Sequence, residues 1–93
     1  MIKDMPEISR FLGIVITMYW EYQTKHHKPH FHARYNEYEC VYSIPELEIL
    51  EGELPKRANS HVIEWANVHI DELIMNWDNI KNELPLNKIK PLE

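Results

Sequence analysis

Residues able to do chemistry crowd into one stretch, His26-His27-Lys28-Pro29-His30-Phe31-His32-Ala33-Arg34, which holds four of the six histidines of the chain. Side chains alternate faces along a β-strand, so His30, His32 and Arg34 share one side while Phe31, Ala33 and Tyr35 take the other. The second set suits core packing. The first is a stripe of two imidazoles and a fixed cation that no packing need explains.

Four readings of that stripe stand side by side. As a metal site, His30 and His32 would share one ion, and His26 or His27 would swing in as a third ligand. Zinc or another divalent metal is what such a set could take, because catalytic zinc commonly keeps three protein ligands. The Cys and His spacing matches no zinc signature, however, so no cofactor is predicted. As acid–base machinery, His30 and His32 would take and give protons while Arg34 holds a phosphate, an arrangement suited to phosphodiester cleavage. Glu39, on the next strand, could orient an imidazole across the ladder. As a recognition surface, the stripe would face a protein or a nucleic acid. Without function, the histidines are ordinary strand residues bonded to their neighbours. His30, His32 and Arg34 are expected to form one exposed polar face, so Asn or Gln at His30 and His32 should leave the melting temperature almost unchanged while removing function.

Elsewhere the signals are weaker. His69 falls on the apolar side of a helical pattern, where a core histidine satisfied by a backbone carbonyl or a strand side chain is the simplest reading. His61 and Glu64 form a helical His-x-x-Glu pair, with no second such pair to build a di-metal site. Trp65 and Trp77 read as core, and Trp20 as core or partner surface. Two glycines in 93 residues leave no glycine-rich phosphate loop.

The elements that must position these residues follow from the apolar pattern. Residues 1–4 read as a flexible leader within one domain spanning residues 1–93, and Met5–Arg10 as an extended lead-in or a single turn. Ile14–Trp20 is rich in β-branched and aromatic residues and reads as a central strand. His30–Tyr35 and Tyr38–Ser43 are two more strands, reversed at Asn36-Glu37, where Asn tolerates a left-handed turn. Leu47–Glu51 gives a short fourth strand, closed by Gly52. After Pro55 the period becomes helical. Ala58, Val62, Trp65, Ala66, His69, Leu73, Trp77 and Ile80 line one face, and Ile63, Ile70 and Ile74 widen it. A continuous helix to Pro85 would run about 40 Å at 1.5 Å per residue, longer than the sheet is wide, so either it bends, with Asn67–His69 the candidate, or one end overhangs and is covered by something else. Residues 85–93 form an extended tail. The fold class is α+β: a mainly antiparallel sheet of three to four strands with a long C-terminal helix packed on one face.

Charge and length narrow the functions. The net charge of −5 argues against binding nucleic acid through a generally basic surface. The charges are divided: residues 21–35 carry three cations and one acid, whereas residues 37–53 carry six acids and no base. Such a hairpin either neutralises itself across the ladder or marks a polar partner surface. No apolar run approaches the roughly 20 residues of a membrane helix, and no signal-peptide cleavage site is apparent, so no membrane association is expected. The lone Cys40 fits a reducing cytoplasm. The apolar arc covers about half the helical wheel, more than one small sheet requires. That excess points to a protein partner or a homodimer.

These residues together resemble the small bacterial domain-of-unknown-function family numbered 4160. The likeness runs through Met5-Pro6-Glu7-Ile8-Ser9-Arg10-Phe11-Leu12-Gly13-Ile14, Pro29-His30-Phe31-His32-Ala33 and Tyr35-Asn36-Glu37-Tyr38. It continues in Leu50-Glu51-Gly52-Glu53-Leu54-Pro55, Glu64-Trp65-Ala66, Asn76-Trp77 and Ile89-Lys90-Pro91-Leu92. Asn36 replaces a usual Gly and Lys28 a frequent second Pro; neither bears on the fold. The resemblance implies a stand-alone cytoplasmic protein encoded beside a second small domain of unknown function, numbered 2442, in the pattern of a toxin–antitoxin pair. It carries over no catalytic residues. The functional expectation is therefore a protein-interaction component, the toxin-like half of a two-gene bacterial module, whose partner is the small protein of the adjacent gene. The alternative is a small histidine-dependent nuclease or metal-binding protein using the His30, His32 and Arg34 face, which would also be the route to nucleic acid.

Overall fold

In the structure, a computed structural model, residues 6–20 and 28–93 are described. The leader at residues 1–4 and the ligand candidates His26 and His27 lie outside the described residues. Five strands follow in order: β1 (Glu7–Phe11), β2 (Ile14–Thr17), β3 (His30–Tyr35), β4 (Tyr38–Ser43) and β5 (Ile49–Gly52). Each pairs antiparallel with its sequence neighbour, giving one sheet in the order β1-β2-β3-β4-β5. Local turns suffice for such a meander. Leu12 (φ 52°) and Gly13 (φ 79°) make a two-residue reversal with left-handed backbone at both positions, the kind that matches strand twist. Asn36 takes φ 54° between β3 and β4. Gly52 has φ 78°, and a Cβ there would stand 2.1 Å from the Glu39 carbonyl oxygen, so only glycine lets β5 close on β4.

The sheet has five strands where three to four were expected. The additional one is β1, read from the sequence as a lead-in. Its pairing with β2 shifts register between Glu7 and Ser9, which breaks the alternation that would have announced a strand. β2 ends at Thr17, three residues before the expected Trp20.

The single long helix is also corrected. Two helices, α1 (Lys56–Val68) and α2 (Ile70–Lys81), meet at His69, inside the segment expected to bend. His69 adopts φ −118° and ψ 26°, its N–H donating to the Ala66 carbonyl at 3.0 Å. Its own carbonyl accepts from Leu73 N–H at 2.9 Å, so the ladder resumes one residue later.

α1 covers one sheet face. Register places Phe11, Ile14, Ala33, Cys40 and their neighbours Ile16, Phe31 and Tyr42 on that face, and all are buried. Ala58, Val62, Trp65 and Ala66 of α1 fill the other half of the core. Trp65 is wholly buried, its ring centroid 5.3 Å from that of Phe11 and 6.0 Å, edge-on, from that of Phe31. The Tyr42 hydroxyl donates to Asn59 Oδ1 at 2.6 Å and ties the sheet to α1.

The C-terminal tail is held by polar contacts as much as by apolar ones. Asn76, buried in α2, donates to the Asn87 carbonyl at 2.9 Å and accepts from its N–H at 2.8 Å. Ile89 is buried and its N–H reaches the Ile8 carbonyl on β1 at 2.8 Å. Trp65 Nε1–H donates to the Lys90 carbonyl at 2.8 Å. The tail therefore joins both helices to the β1 edge.

Candidate functional site

The other sheet face carries the histidine stripe. Alternation places His30, His32 and Arg34 on it together, aligned with Ser43, Val41 and Glu39 of β4, while Thr17 and Val15 of β2 flank His32 and Arg34. They do not form one exposed face. His30 is 1% exposed, His32 is 7% exposed, and Arg34 alone lies open to solvent.

His30 is buried because α2 supplies a cover. The Trp77 ring stands 5.1 Å from its imidazole, and Trp20 lies 5.5 Å beyond Trp77. Nδ1 of His30 is 2.8 Å from the Lys28 carbonyl oxygen. A carbonyl only accepts, so Nδ1 carries the proton and donates. This histidine is a packed and hydrogen-bonded residue at the end of β3.

His32 has a different setting. Its Nδ1 lies 3.0 Å from Glu39 Oε2, a diagonal contact across the β3–β4 ladder. Tyr19 stacks on the imidazole, with centroids 4.6 Å apart and planes 19° apart, and its hydroxyl makes a long 3.4 Å contact to the same nitrogen. A carboxylate partner fixes the proton on Nδ1, so Nε2 is the basic nitrogen of the neutral ring. Glu39 thus orients an imidazole from the adjacent strand.

These groups open into a cleft of about 110 Å³ lined by Tyr19, His32, Arg34, Glu39, Thr17 and the Glu7–Arg10 pair. Arg10 grips Glu7 with two bonds, Nε at 3.0 Å and Nη2 at 2.8 Å. The guanidinium holds the Glu7 carboxyl below the usual carboxylate range, chiefly through hydrogen bonding. Arg34 forms no ion pair among the described residues. The cleft therefore combines an oriented imidazole, a stacked phenol and a cation open to solvent. That is equipment for proton transfer or for holding an anionic group, built on one histidine rather than two.

A metal centre needs more donors than these. Nδ1 of His30 and of His32 are both committed, and no three His, Cys, Asp or Glu side chains among the described residues converge to hold an ion. The described residues alone do not supply the three-ligand set that catalytic zinc commonly takes. His69 packs 5.5 Å from Trp65 and pairs with Glu72 in the first turn of α2, rather than with a carbonyl or a strand side chain. His61 and Glu64 form no ion pair among the described residues. Across the charge-divided hairpin, Lys28 meets Glu48 at 3.8 Å and His32 meets Glu39, so part of that division is neutralised internally.

Tyr19 is the site residue that sequence reasoning missed. The signal was present: two residues beyond Thr17, it continues the same strand face. Glu7 and Arg10 were missed with β1 itself.

A second surface lies beside Trp77. Trp20 (43% exposed) packs against it at a tilt of 36°, and Ile74 (39%) precedes it by one helical turn, while Met75 (58%) is exposed on another side of α2. The wide apolar arc of the helical pattern thus divides. In α1 it is buried, whereas in α2 part of it remains open.

The family described as Domain of unknown function (DUF4160) matches this sequence over residues 13–78, from the β1–β2 turn into the last turn of α2 and across the whole histidine stripe. No curated protein and no solved structure matches. None of the helices among the described residues is long and apolar enough to cross a membrane.

Proposed function

The chain belongs to the DUF4160 family, and we propose that it is a protein-interaction component, the toxin-like half of a two-gene bacterial module. Its partner in this reading is the small protein of the adjacent gene, a member of the domain-of-unknown-function family numbered 2442. The observation that carries the reading is the open apolar surface of Trp20, Ile74 and Met75 on and beside α2. Two of these are large residues on a helix whose buried face is already occupied by Leu73, Asn76 and Trp77. Trp20 and Ile74 both adjoin Trp77, and an open apolar patch on a small domain marks an interaction site. A second copy of the chain is the competing occupant.

Co-expression with the neighbouring gene, followed by size-exclusion chromatography with light scattering, tests the proposal. A 1:1 or 2:2 complex that Ile74→Asp dissolves supports it. A monomer indifferent to the neighbour, or a homodimer that excludes it, contradicts it.

A second reading, a small histidine-dependent nuclease or metal-binding protein, draws support from the His32–Glu39 pair beside Arg34. An imidazole oriented by a carboxylate is what general acid–base catalysis uses. The two readings coincide if the partner restrains a cleft that acts on nucleic acid. Cleavage of a short RNA by the free chain, lost in Glu39→Gln, is the outcome that this second reading expects.

A further inference from the structure

A separate cavity of about 100 Å³ opens on the α1 side of the sheet, between the β1–β2 turn and the first two turns of α1. Leu12, Tyr35, Pro55, Arg57, Ala58 and His61 line it. The turn makes room for the aromatic wall. The Tyr35 ring lies over Gly13, where a Cβ would stand 3.2 Å from Cε1. Arg57 and His61 are four residues apart on α1 and so share one side of the helix. Tyr35 ends β3 and His30 begins it, which sets this cavity about 17 Å along the strand from the surface beside Trp77.

None of the three polar side chains is spent. Arg57, His61 and Tyr35 make no hydrogen bond or ion pair among the described residues. The guanidinium offers a planar fork of N–H groups, either tautomer of the imidazole offers one N–H, and the phenol offers its O–H. No acid lines the cavity, the first turn of α1 contains none, and Glu64, one helical turn beyond His61, does not pair with it. The cavity therefore gathers donors, one of them a fixed cation, and no carboxylate to meet them. The remaining wall decides which anion fits. Leu12 is 60% exposed, and Pro55, Ala58 and the Tyr35 ring are carbon surface beside it. A phosphate dianion would turn some of its oxygens onto that carbon and leave them unmet, which is costly. A carboxylate has two oxygens, both engaged by one guanidinium, and a hydrocarbon stem behind it to lie on the apolar wall. The volume suits a single group, well below the roughly 300–1,000 Å³ of sites that enclose a whole small molecule.

We propose that this cavity binds a carboxylate group borne on an apolar stem, with Arg57 clamping the two oxygens, His61 and Tyr35 donating to them, and Leu12 and Pro55 receiving the hydrocarbon. It is a site apart from both the histidine cleft and the partner surface. Free organic acids and the chain ends of peptides both carry such a group, and titration separates them.

The test is amide and side-chain NMR of the full chain, titrated with butyrate, N-acetyl-leucine, butyramide and inorganic phosphate at ionic strength matched by sodium chloride. Butyrate and N-acetyl-leucine should give saturable shifts at Leu12, Tyr35, Arg57 and His61. Butyramide, which lacks the charge, and phosphate, which lacks the stem, should bind at least tenfold more weakly, as should butyrate to Arg57→Gln, in line with the worth of a charge-assisted hydrogen bond. Tyr35→Phe keeps the ring, loses the hydroxyl and should weaken binding about threefold. Lys56→Met removes a neighbouring charge outside the cavity and should leave the affinity unchanged. Tighter binding of N-acetyl-leucine than of butyrate assigns the site to peptide ends, and equal or weaker binding assigns it to free acids. Shifts outside the cavity, butyramide or phosphate binding as tightly as butyrate, undiminished binding in Arg57→Gln, or an equal loss in Lys56→Met each overturn the proposal. Arg57 is exposed, so its replacement leaves the fold intact, as the unchanged spectrum of the free variant will report.

Discussion

Replacing Trp65 with Ala should remove most of the stability of this domain. The side chain is wholly buried, with Phe11, Phe31 and His69 ring centroids within 6.0 Å. Truncating a buried Trp to Ala costs about 3–5 kcal/mol in transfer and cavity terms. The indole also donates to the Lys90 carbonyl at 2.8 Å, a net contribution of roughly 1 kcal/mol that disappears with it. Against that stands a total stability of roughly 5–14 kcal/mol for a chain of this length, at about 0.05–0.15 kcal/mol per residue. With a urea slope near 1.5 kcal/mol per molar, a loss of about 4 kcal/mol lowers the midpoint by about 2–3 M. Trp65→Phe separates the two contributions: it keeps apolar bulk, loses the N–H, and should cost no more than about 2 kcal/mol. Amide exchange at Ile89 should accelerate in both variants, because the tail loses an anchor. A midpoint shift under about 0.5 M for the Ala variant would refute the placement of Trp65 at the centre of the core.

Two further outcomes follow from burial. His30→Ala should lower stability by about 1–3 kcal/mol, because it strands the Lys28 carbonyl and opens a gap under Trp77, whereas Arg34→Ala should stay within about 0.5 kcal/mol; parallel thermal melts check both. Cys40 is buried on β4 and desolvation raises its thiol pKa, so the thiol stays protonated through neutral pH. Its reaction with a chromogenic disulfide at pH 8 should therefore be slow in the native protein and rise to the free-thiol rate in denaturant. Rapid native labelling would contradict that burial.

Much of this architecture is legible in the residues. β3 and β4 have the bounds that alternation and Asn36 assign them, because each strand is long enough to show its period and ends at a turn-forming residue. β1 hides because its register shift puts Ile8 and Ser9, adjacent residues, both in buried positions. The helix break was localised by composition at Asn67–His69, but no proline or glycine marks it, so one helix or two could not be told apart. The stripe of His30, His32 and Arg34 was legible as a shared face, since that needs only a period of two. The burial of His30 was not, because it depends on Trp77, forty-seven residues away, folding back over the end of β3. Likewise, Glu39 could be named as a partner for an imidazole from the hairpin register. Which histidine it takes is decided by the diagonal geometry of the ladder.

The central claim is that the open apolar surface beside Trp77 receives the neighbouring gene's product. Calorimetric titration of that purified product into this chain, at several temperatures, measures it most directly. The account predicts saturable binding with a negative heat-capacity change, the mark of apolar burial. It further predicts that Ile74→Asp and Met75→Asp weaken binding at least tenfold while the melting temperature holds. Binding that survives both substitutions, or no heat of binding to the wild-type chain, would contradict it.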